Sequence, residues 1–333
     1  MSGDLSTAKP ATIGGLFTSD DVDSRMLYKE FQEGVDQFNE SEWALVERFV
    51  RKTTKESVRI WQRNMDFKIA GEGYLEDWQK TRAQEITVPL SEFEIGYAFT
   101  KKAIQDSNAS ELRETQQETL RGAQRLLLNR FFWAICTPGS GSVSKGFWDG
   151  NMAAASVRGP PSWKRNTFTT AHNHFASAGH VDIALADLSA LKKEIREHGY
   201  SGELFLFLSG QEVEACENLA GWTSAMTPNP ITEQVATGGF DVVKKFQGWT
   251  VVQDDFVPAG YLIGLESRVR PVSMREPLNA AGRGLKLWEG PYAGYPLAES
   301  YYSQRFDMAV VHRGAGAIRQ LTAGAWATPT FTF

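Results

Sequence analysis

The N-terminal part of the chain changes its hydrophobic pattern along its length. Residues 1–24 are polar and rich in Gly, Ser, Thr and Asp, so we expect an arm without a core of its own. Between Arg25 and Arg51 the apolar residues recur at helical spacing. Gly34 and the polar stretch 39–41 are expected to break this segment into two helices.

Apolar and polar residues then alternate, and this period of two predicts a long β-hairpin over residues 58–105. The stretch VRIWQR predicts a short strand, and apolar and polar residues alternate from Ile86 to Phe99. The tip of the hairpin is expected at residues 64–82. An isolated two-stranded hairpin is only marginally stable in water, so its apolar face must rest on another surface, and a neighbouring subunit is one candidate. The residues expected to make this contact are Trp61, Trp78, Phe93, Ile95, Tyr97 and Phe99.

A long helix is predicted over residues 108–136. Asn108 with Glu111 three residues later has the spacing of a capping box, and Pro138 follows the expected end. A helix of this length would span ~43 Å. Its first half carries Leu112 among polar residues, whereas its second half has a full apolar stripe. A bare first half is more typical of a scaffold element than of a compact enzyme core.

The stretch 167–298 predicts a compact α/β arrangement. A helix is expected to end at His198 and Gly199, and the buried strand ELFLFL follows. The sequence SGQE from Ser209 to Glu212 has the pattern of a capping box that opens a second helix. Three more strands, DVVKKF, WTVVQD and YLIGLE, come next. The segments FDMAVV and AIRQLT predict two final strands, joined by a glycine-bearing turn.

Composition excludes several classes of protein. The chain has 333 residues, 42% of them apolar, which is enough for one or two domains. A formal net charge of −5 argues against nucleic acid as the main partner. Two cysteines, Cys136 and Cys216, make no disulfide framework and suit a reducing cytoplasm. The chain shows neither a signal peptide nor an apolar run of the ~20 residues that a bilayer requires, so no membrane contact is expected.

Three of the five histidines lie close together in the stretch FTTAHNHFASAGH. His172 and His174 would point to the same face of a strand, and His180 with Asp182 follows, so a metal-dependent hydrolase is one interpretation. The metal interpretation is weakened because no Cys, Glu or further histidine lies at a spacing typical of metal ligands. The alternative is that these histidines are half-buried packing residues, and on this reading no metal is expected.

Other catalytic motifs are missing from the sequence. Ser209 follows a hydrophobic strand as hydrolase nucleophiles do, but its flanks lack G-x-S-x-G, and a helix-capping role accounts for it. The glycine-rich stretch 314–317 is not a dinucleotide-binding motif, and no phosphate-binding P-loop pattern occurs. We therefore expect no enzyme, no catalytic or cofactor-binding residues and no cofactor.

The order of these parts resembles the major capsid protein of tailed bacteriophages, which has the Hong Kong 97-like fold. The stretches FTTAHNHF, LSALKKEIREHGYSGELFLFLS, VPAGYLIGLES and YPLAESYYSQRFDMAVVHRGAGAIRQLT are also similar to phage capsid sequences. The resemblance covers most of the chain and depends on the order of parts and on soft motifs. In this setting the histidines are expected to belong to the junction of two domains.

The resemblance implies an α+β fold with a defined set of parts. These are an N-terminal arm, an extended hairpin called the E-loop, a peripheral domain with a long spine helix, and an axial α/β domain. The corresponding residues would be 1–57 for the arm and first helices, 58–105 for the E-loop, 106–166 with 299–333 for the peripheral domain, 108–136 for its spine helix, and 167–298 for the axial domain.

The resemblance also implies a structural function. Copies of the chain would assemble as homo-pentamers and homo-hexamers into an icosahedral virion shell that encloses double-stranded DNA without sequence-specific contacts. Assembly would take place in the cytoplasm of a bacterial host, with a separate scaffolding protein, a portal and decoration proteins as further partners. An encapsulin-like nanocompartment has the same fold and is the main alternative; a metal-dependent hydrolase is the other.

Overall fold

The computed structural model describes residues 15–41, 46–62, 82–95, 99–138, 146–149, 160, 163, 166–169, 171–222, 241–292 and 294–331. They form two compact units. Unit 1 comprises Met1–Glu40, Glu92–Gln124 and Ala281–Arg305. Unit 2 comprises Ser41–Ser91, Arg125–Ala280 and Phe306–Phe333.

The described residues contain both helices and strands. The helices are α1 Ser24–Ser41, α2 Val46–Phe49, α3 Lys101–Asp106, α4 Ala109–Cys136, α5 Leu185–Arg196 and α6 Gly210–Cys216. The strands are β1 Val50–Thr53, β2 Ser57–Gln62, β3 Arg82–Thr87, β4 Ser91–Ile95, β5 Phe175–Ser177, β6 Leu204–Leu208, β7 Asp241–Phe246, β8 Trp249–Gln253, β9 Tyr261–Glu266, β10 Val272–Arg275, β11 Leu285–Trp288, β12 Tyr301–Val310 and β13 Gly316–Gln320.

The long helix α4 begins with the predicted capping box. The backbone N–H of Glu111 donates to Asn108 Oδ1 at 2.9 Å, and the backbone N–H of Asn108 donates to Glu111 Oε2 at 3.1 Å. Two N-terminal donors that have no partner within the helix are thereby satisfied. The bounds of α4 match the predicted helix closely.

The first half of α4 is not bare, and this part of the prediction was wrong. In unit 1, Leu112 packs in one apolar cluster with Leu27 and Phe31 of α1. The buried Gln116 donates through Nε2 to the Phe31 carbonyl and accepts from the Tyr302 hydroxyl. Hydrogen bonds thus allow a polar residue to occupy a core position, so polarity alone does not mark a helix face as exposed.

Helix α1 continues through Gly34, where the sequence predicted a break. A β-carbon at Gly34 would lie 3.0 Å from Gln116 Nε2, so the missing side chain makes room for that amide. Glycine costs a helix about 1 kcal/mol relative to alanine, and tertiary packing compensates for it here. Residues 42–45, which separate α1 from α2, lie outside the described residues, so the second predicted break remains a prediction.

Unit 2 contains a six-stranded sheet with the order β5-β13-β9-β6-β8-β7. Its strands confirm the predicted segments ELFLFL, DVVKKF, WTVVQD, YLIGLE and AIRQLT. All five residues of β6 are buried, which explains why their sequence is continuously apolar instead of alternating. Helix α5 covers the sheet with Leu188, Leu191 and Ile195.

A second sheet has the order β1-β10-β12-β11, and β4 also pairs with β12. Strand β1 runs parallel to β10, whereas β10 and β11 are both antiparallel to β12. The third sheet consists of β2 and β3. The described residues therefore mix helices with mostly antiparallel strands, an α+β arrangement.

The predicted assignment of residues 299–333 to a peripheral domain remains a prediction. Strand β13, which lies within that range, pairs with β5 and β9 in the six-stranded sheet.

An aromatic cluster fills part of the core of unit 2. Phe49, at the end of α2, is fully buried. Its ring lies edge-on to Phe205 at 5.1 Å and to Phe207 at 5.4 Å, and the ring of Phe131 is 6.3 Å away, all measured between centroids. Edge-to-face pairs of this kind are favourable beyond their burial. Phe49 thus joins the end of α2 to strand β6 and to helix α4.

Candidate functional site

The predicted hairpin is present in its first part. Strands β2 and β3 are antiparallel, in a register that runs from Ser57 opposite Thr87 to Gln62 opposite Arg82. At its base, Val58 packs against a small cluster formed by Ile86, Val88 and Ala309. The predicted tip, residues 64–82, lies outside the described residues except for Arg82.

The second part of the predicted hairpin was wrong. Strand β4, which contains Phe93 and Ile95, pairs with β12 and not with β2 or β3. Its burial alternates as expected for a strand with one covered face. Alternation of apolar and polar residues indicates a strand with one covered face, but it does not identify the strand that pairs with it.

The predicted contact residues therefore fall into different environments. Phe99 is buried in unit 1 in a cluster with Phe31, and Ile95 packs against a cluster that includes Val35 and Phe38. Phe99 is thus covered by its own chain, and Ile95 is partly covered by it. Phe93 is half-buried.

The side chains of the remaining predicted contact residues lie outside the described residues. Trp61 lies in β2 opposite Ala83. The side chain of Trp61, and the whole of Trp78 and Tyr97, lie outside the described residues. Contact through Trp61, Trp78, Phe93 and Tyr97 remains a prediction.

An exposed aromatic pair in unit 1 was missed by the sequence reasoning. Trp288 and Tyr301 stand opposite each other on β11 and β12, and their rings stack at 6.3 Å between centroids. The exposed fractions are 44% for Trp288 and 39% for Tyr301. Trp288 also donates through Nε1 to Ser303 Oγ at 2.7 Å, which fixes its ring. Large aromatic side chains held rigid at a surface are typical of contact sites.

A histidine cluster lies in unit 2, and its membership corrects the sequence prediction. The Nε2 atoms of His172, His174 and His198 form a triangle with sides of 3.0, 2.9 and 2.9 Å. His180 is not a member: its Nδ1 contacts the Asp182 carbonyl, and its Nε2 lies 3.5 Å from Asp187 Oδ2. His198 comes from the turn after α5, too far along the chain for spacing to reveal it.

Backbone pairing and ring packing fix the three rings. The backbone N–H of His174 donates to the Trp148 carbonyl at 2.7 Å, and its carbonyl accepts from Ile318 N–H at 2.8 Å. His174 Nδ1 donates to the Gly316 carbonyl at 2.5 Å. The ring of Phe168 stacks on His198, with 4.2 Å between centroids.

Burial keeps the cluster uncharged. Desolvation lowers the pKa of His174 to about 3 and that of His198 to about 2, and it also lowers the pKa of His172. Glu197 Oε1 lies 3.5 Å from His172 Nε2, and burial raises the pKa of this carboxyl group. The three imidazoles are therefore neutral near pH 7 and present nitrogen lone pairs.

We expect the folded chain to lose stability as the pH falls from about 6.5 towards 3. An unfolded histidine takes up a proton near pH 6.5, whereas folded His174 does so only near pH 3, so the unfolded state binds more protons in this window. At pH 5 the lower pKa of folded His174 alone reduces the free energy of unfolding by about 2 kcal/mol. Denaturant unfolding of the purified chain at pH 7.5 and 5, in buffers free of divalent cations, measures this loss.

His174→Gln removes the titrating group and should reduce the pH dependence by about that amount. An identical pH dependence in wild type and His174→Gln would contradict the assignment.

Ser209 has a local structural role. Its hydroxyl donates to Glu212 Oε2, and Glu212 Oε1 accepts from the Gly260 backbone N–H at 2.7 Å. Ser209 occupies the N-cap position of α6 as predicted, but its oxygen makes no cap bond to the backbone. The carboxylate of Glu212 instead links the start of α6 to the turn before β9.

Comparison with known proteins identifies solved structures that are similar to this chain. No protein-family model and no curated protein matches the sequence. A solved structure from Mycobacterium phage Patience is similar with a TM-score of 0.67 and 22% identity, over 97% of this chain and 97% of that one.

Two weaker similarities accompany it. The capsid of a native GTA particle gives a TM-score of 0.49 at 13% identity, over 84% of this chain and 90% of that one. The holo-SrpI encapsulin complex from Synechococcus elongatus gives 0.44 at 14% identity, over 87% and 91%.

The similarity to the phage structure confirms the predicted fold class. It extends over nearly the whole of both chains, so it includes the hairpin strands, the long helix and the six-stranded sheet together. The chain has the α+β Hong Kong 97-like fold. Among the described residues, no helix is both long enough and apolar enough to cross a bilayer.

Proposed function

We propose that this chain is the major capsid protein of a tailed bacteriophage. Copies assemble as pentamers and hexamers into an icosahedral shell around double-stranded DNA. The observation that carries the proposal is the structural similarity to the phage chain over nearly the full length of both.

Two surfaces of the described residues support self-association. The sheet of β2 and β3 has two strands, and such a ribbon gains stability when another surface covers it. The exposed pair Trp288 and Tyr301 is a second contact candidate. Stable protein interfaces bury about 1,600 Å², and a shell subunit that meets several neighbours exceeds this in total.

The charge of the chain suits a container for DNA. A net charge of −5 provides no general attraction for phosphate, so the packaged genome would not adhere to the inner wall of the shell through charge. The shell forms in the cytoplasm of the bacterial host and becomes part of the virion. A separate scaffolding protein, a portal and decoration proteins are its further partners.

Electron microscopy of the purified chain tests the proposal. Negative-stain images and size-exclusion chromatography, with the chain expressed alone and with the phage's own helper proteins, should show closed particles of uniform diameter. A chain that stays monomeric at high concentration with every helper supplied would refute the proposal.

The contents of the particles separate a phage capsid from an encapsulin-like compartment. Particles recovered from infected cells should contain nuclease-resistant double-stranded DNA. Particles filled with an enzyme cargo and free of DNA would instead support the encapsulin alternative.

A further inference from the structure

We propose that His172, His174 and His198 bind a divalent transition-metal cation of the Zn²⁺ class through their three Nε2 atoms. The site lies within unit 2 and joins the segment before β5 to the turn after α5. It does not depend on the proposed function, since a metal site of this kind would stabilise the subunit whatever the subunit assembles into.

The triangle of nitrogen atoms cannot be satisfied by hydrogen bonds alone. Each Nε2 carries either a hydrogen or a lone pair, and a hydrogen bond needs one of each. Because there are three Nε2 atoms and two states, at least two of the atoms are in the same state. Those two atoms lie 2.9–3.0 Å apart and repel each other. A cation removes this conflict because all three atoms then present lone pairs to it.

The proton on His174 is already in the position that a ligand requires. Its Nδ1–H donates to the Gly316 carbonyl, which leaves the lone pair of Nε2 facing His172 and His198. A backbone carbonyl that fixes the tautomer in this way is the usual outer partner of a metal-bound histidine. The geometry around His174 thus favours coordination independently of the other two rings.

The dimensions of the triangle are close to those of a zinc site. Zn–N distances of 2.0–2.1 Å in tetrahedral geometry place the ligand nitrogens about 3.3 Å apart. The observed sides are 2.9–3.0 Å, so each pair would move apart by about 0.4 Å. Displacements of this size lie within the range of small side-chain rotations.

The surroundings hold the rings near the site. A β-carbon at Gly314 would lie 2.9 Å from the His198 ring, so the glycine allows close approach of the backbone. Phe168 covers His198 and His172 at 4.2 and 4.7 Å between centroids. The burial that keeps these imidazoles neutral also keeps them in the form that binds metal.

The proposed ion has a structural role. It would cross-link two segments that lie 24 residues apart in the chain, at His174 and His198. With three protein ligands, the ion would keep its fourth position for water or another ligand, unlike the four protein ligands of most structural zinc sites. A metal that binds the folded but not the unfolded chain raises stability by an amount that grows with the logarithm of the free metal concentration above Kd.

Zinc titration of the full-length chain, first stripped with EDTA, tests the proposal. Wild type should bind one Zn²⁺ per chain, and Co²⁺ in its place should give the visible d–d bands of a tetrahedral ion. Added Zn²⁺ should also raise the melting temperature. His172→Ala should weaken Zn²⁺ binding by more than about 100-fold, beyond the 10–100-fold that loss of an outer partner costs.

His180→Ala is the matched control, because it removes a histidine eight positions from His172 that lies outside the triangle. It should bind Zn²⁺ as wild type does. Absence of saturable 1:1 binding by wild type would overturn the proposal. Equal effects of the two substitutions would overturn it as well, even if His172→Ala lowered stability for other reasons. Particle formation is scored separately, so failure here leaves the proposed function unaffected.

Discussion

A subunit in which residues 63–81 are replaced by Asn-Gly should fold but should no longer assemble into shells. Gln62 and Arg82 are opposite each other in the β2–β3 register, so a two-residue turn can close the shortened hairpin. The base remains anchored by Val58, Ile86 and Val88. Circular dichroism and thermal melting measure folding, and electron microscopy measures assembly.

A Gly/Ser segment of equal length is the matched control for this deletion. It restores the length of the chain but not Trp78, so a continued assembly defect would assign the contact to side chains in the segment. Restored assembly would show that only length matters. Normal shells from the Asn-Gly variant, or an unfolded product, would contradict the idea that this segment serves contacts between subunits.

Phe49→Ala should lower the free energy of unfolding by about 3–5 kcal/mol, the usual cost of removing a buried phenylalanine. Phe49 is fully buried and contacts Phe131, Phe205 and Phe207, which belong to a helix and a strand fixed by many other contacts. The surroundings therefore have little freedom to collapse into the cavity. Denaturant unfolding of the non-assembling hairpin variant measures the loss without interference from shell contacts.

Phe49→Leu provides the comparison. It keeps most of the apolar volume and should cost less than about 2 kcal/mol. If both substitutions cost the same, the aromatic edge-to-face contacts would account for the whole effect. A loss below about 1 kcal/mol for Phe49→Ala would contradict the central position of Phe49 in this core.

Long periodic segments were the most predictable parts of the fold. Helix α4 and its capping box could be read from Asn108, Glu111 and the apolar stripe, because both signals are local in the chain. Strand β6 could be read from its continuous apolar run, since full burial removes the need for alternation. The resemblance to phage capsid proteins depended on the order of such segments.

Contacts between distant segments could not be predicted in this way. Strand β4 alternates as predicted, but nothing in its own residues indicates that β12 is its neighbour. Gln116 is polar yet buried, because its partners Phe31 and Tyr302 come from remote segments.

The histidine cluster was half predictable. The spacing of His172 and His174 was visible, whereas His198 joins them through the fold and His180 does not join at all. Proximity along the chain indicated the wrong third member.

The position of β13 has a consequence for the synthesis of the chain. This strand comes last among the described strands, yet it lies between β5 and β9 in the six-stranded sheet. The sheet therefore cannot be completed on the ribosome until residue 320 has left the exit tunnel, and incomplete chains would present unpaired strand edges at β5 and β9. Translation that stops early would then yield chains that chaperones and proteases can recognise before such chains reach a growing particle.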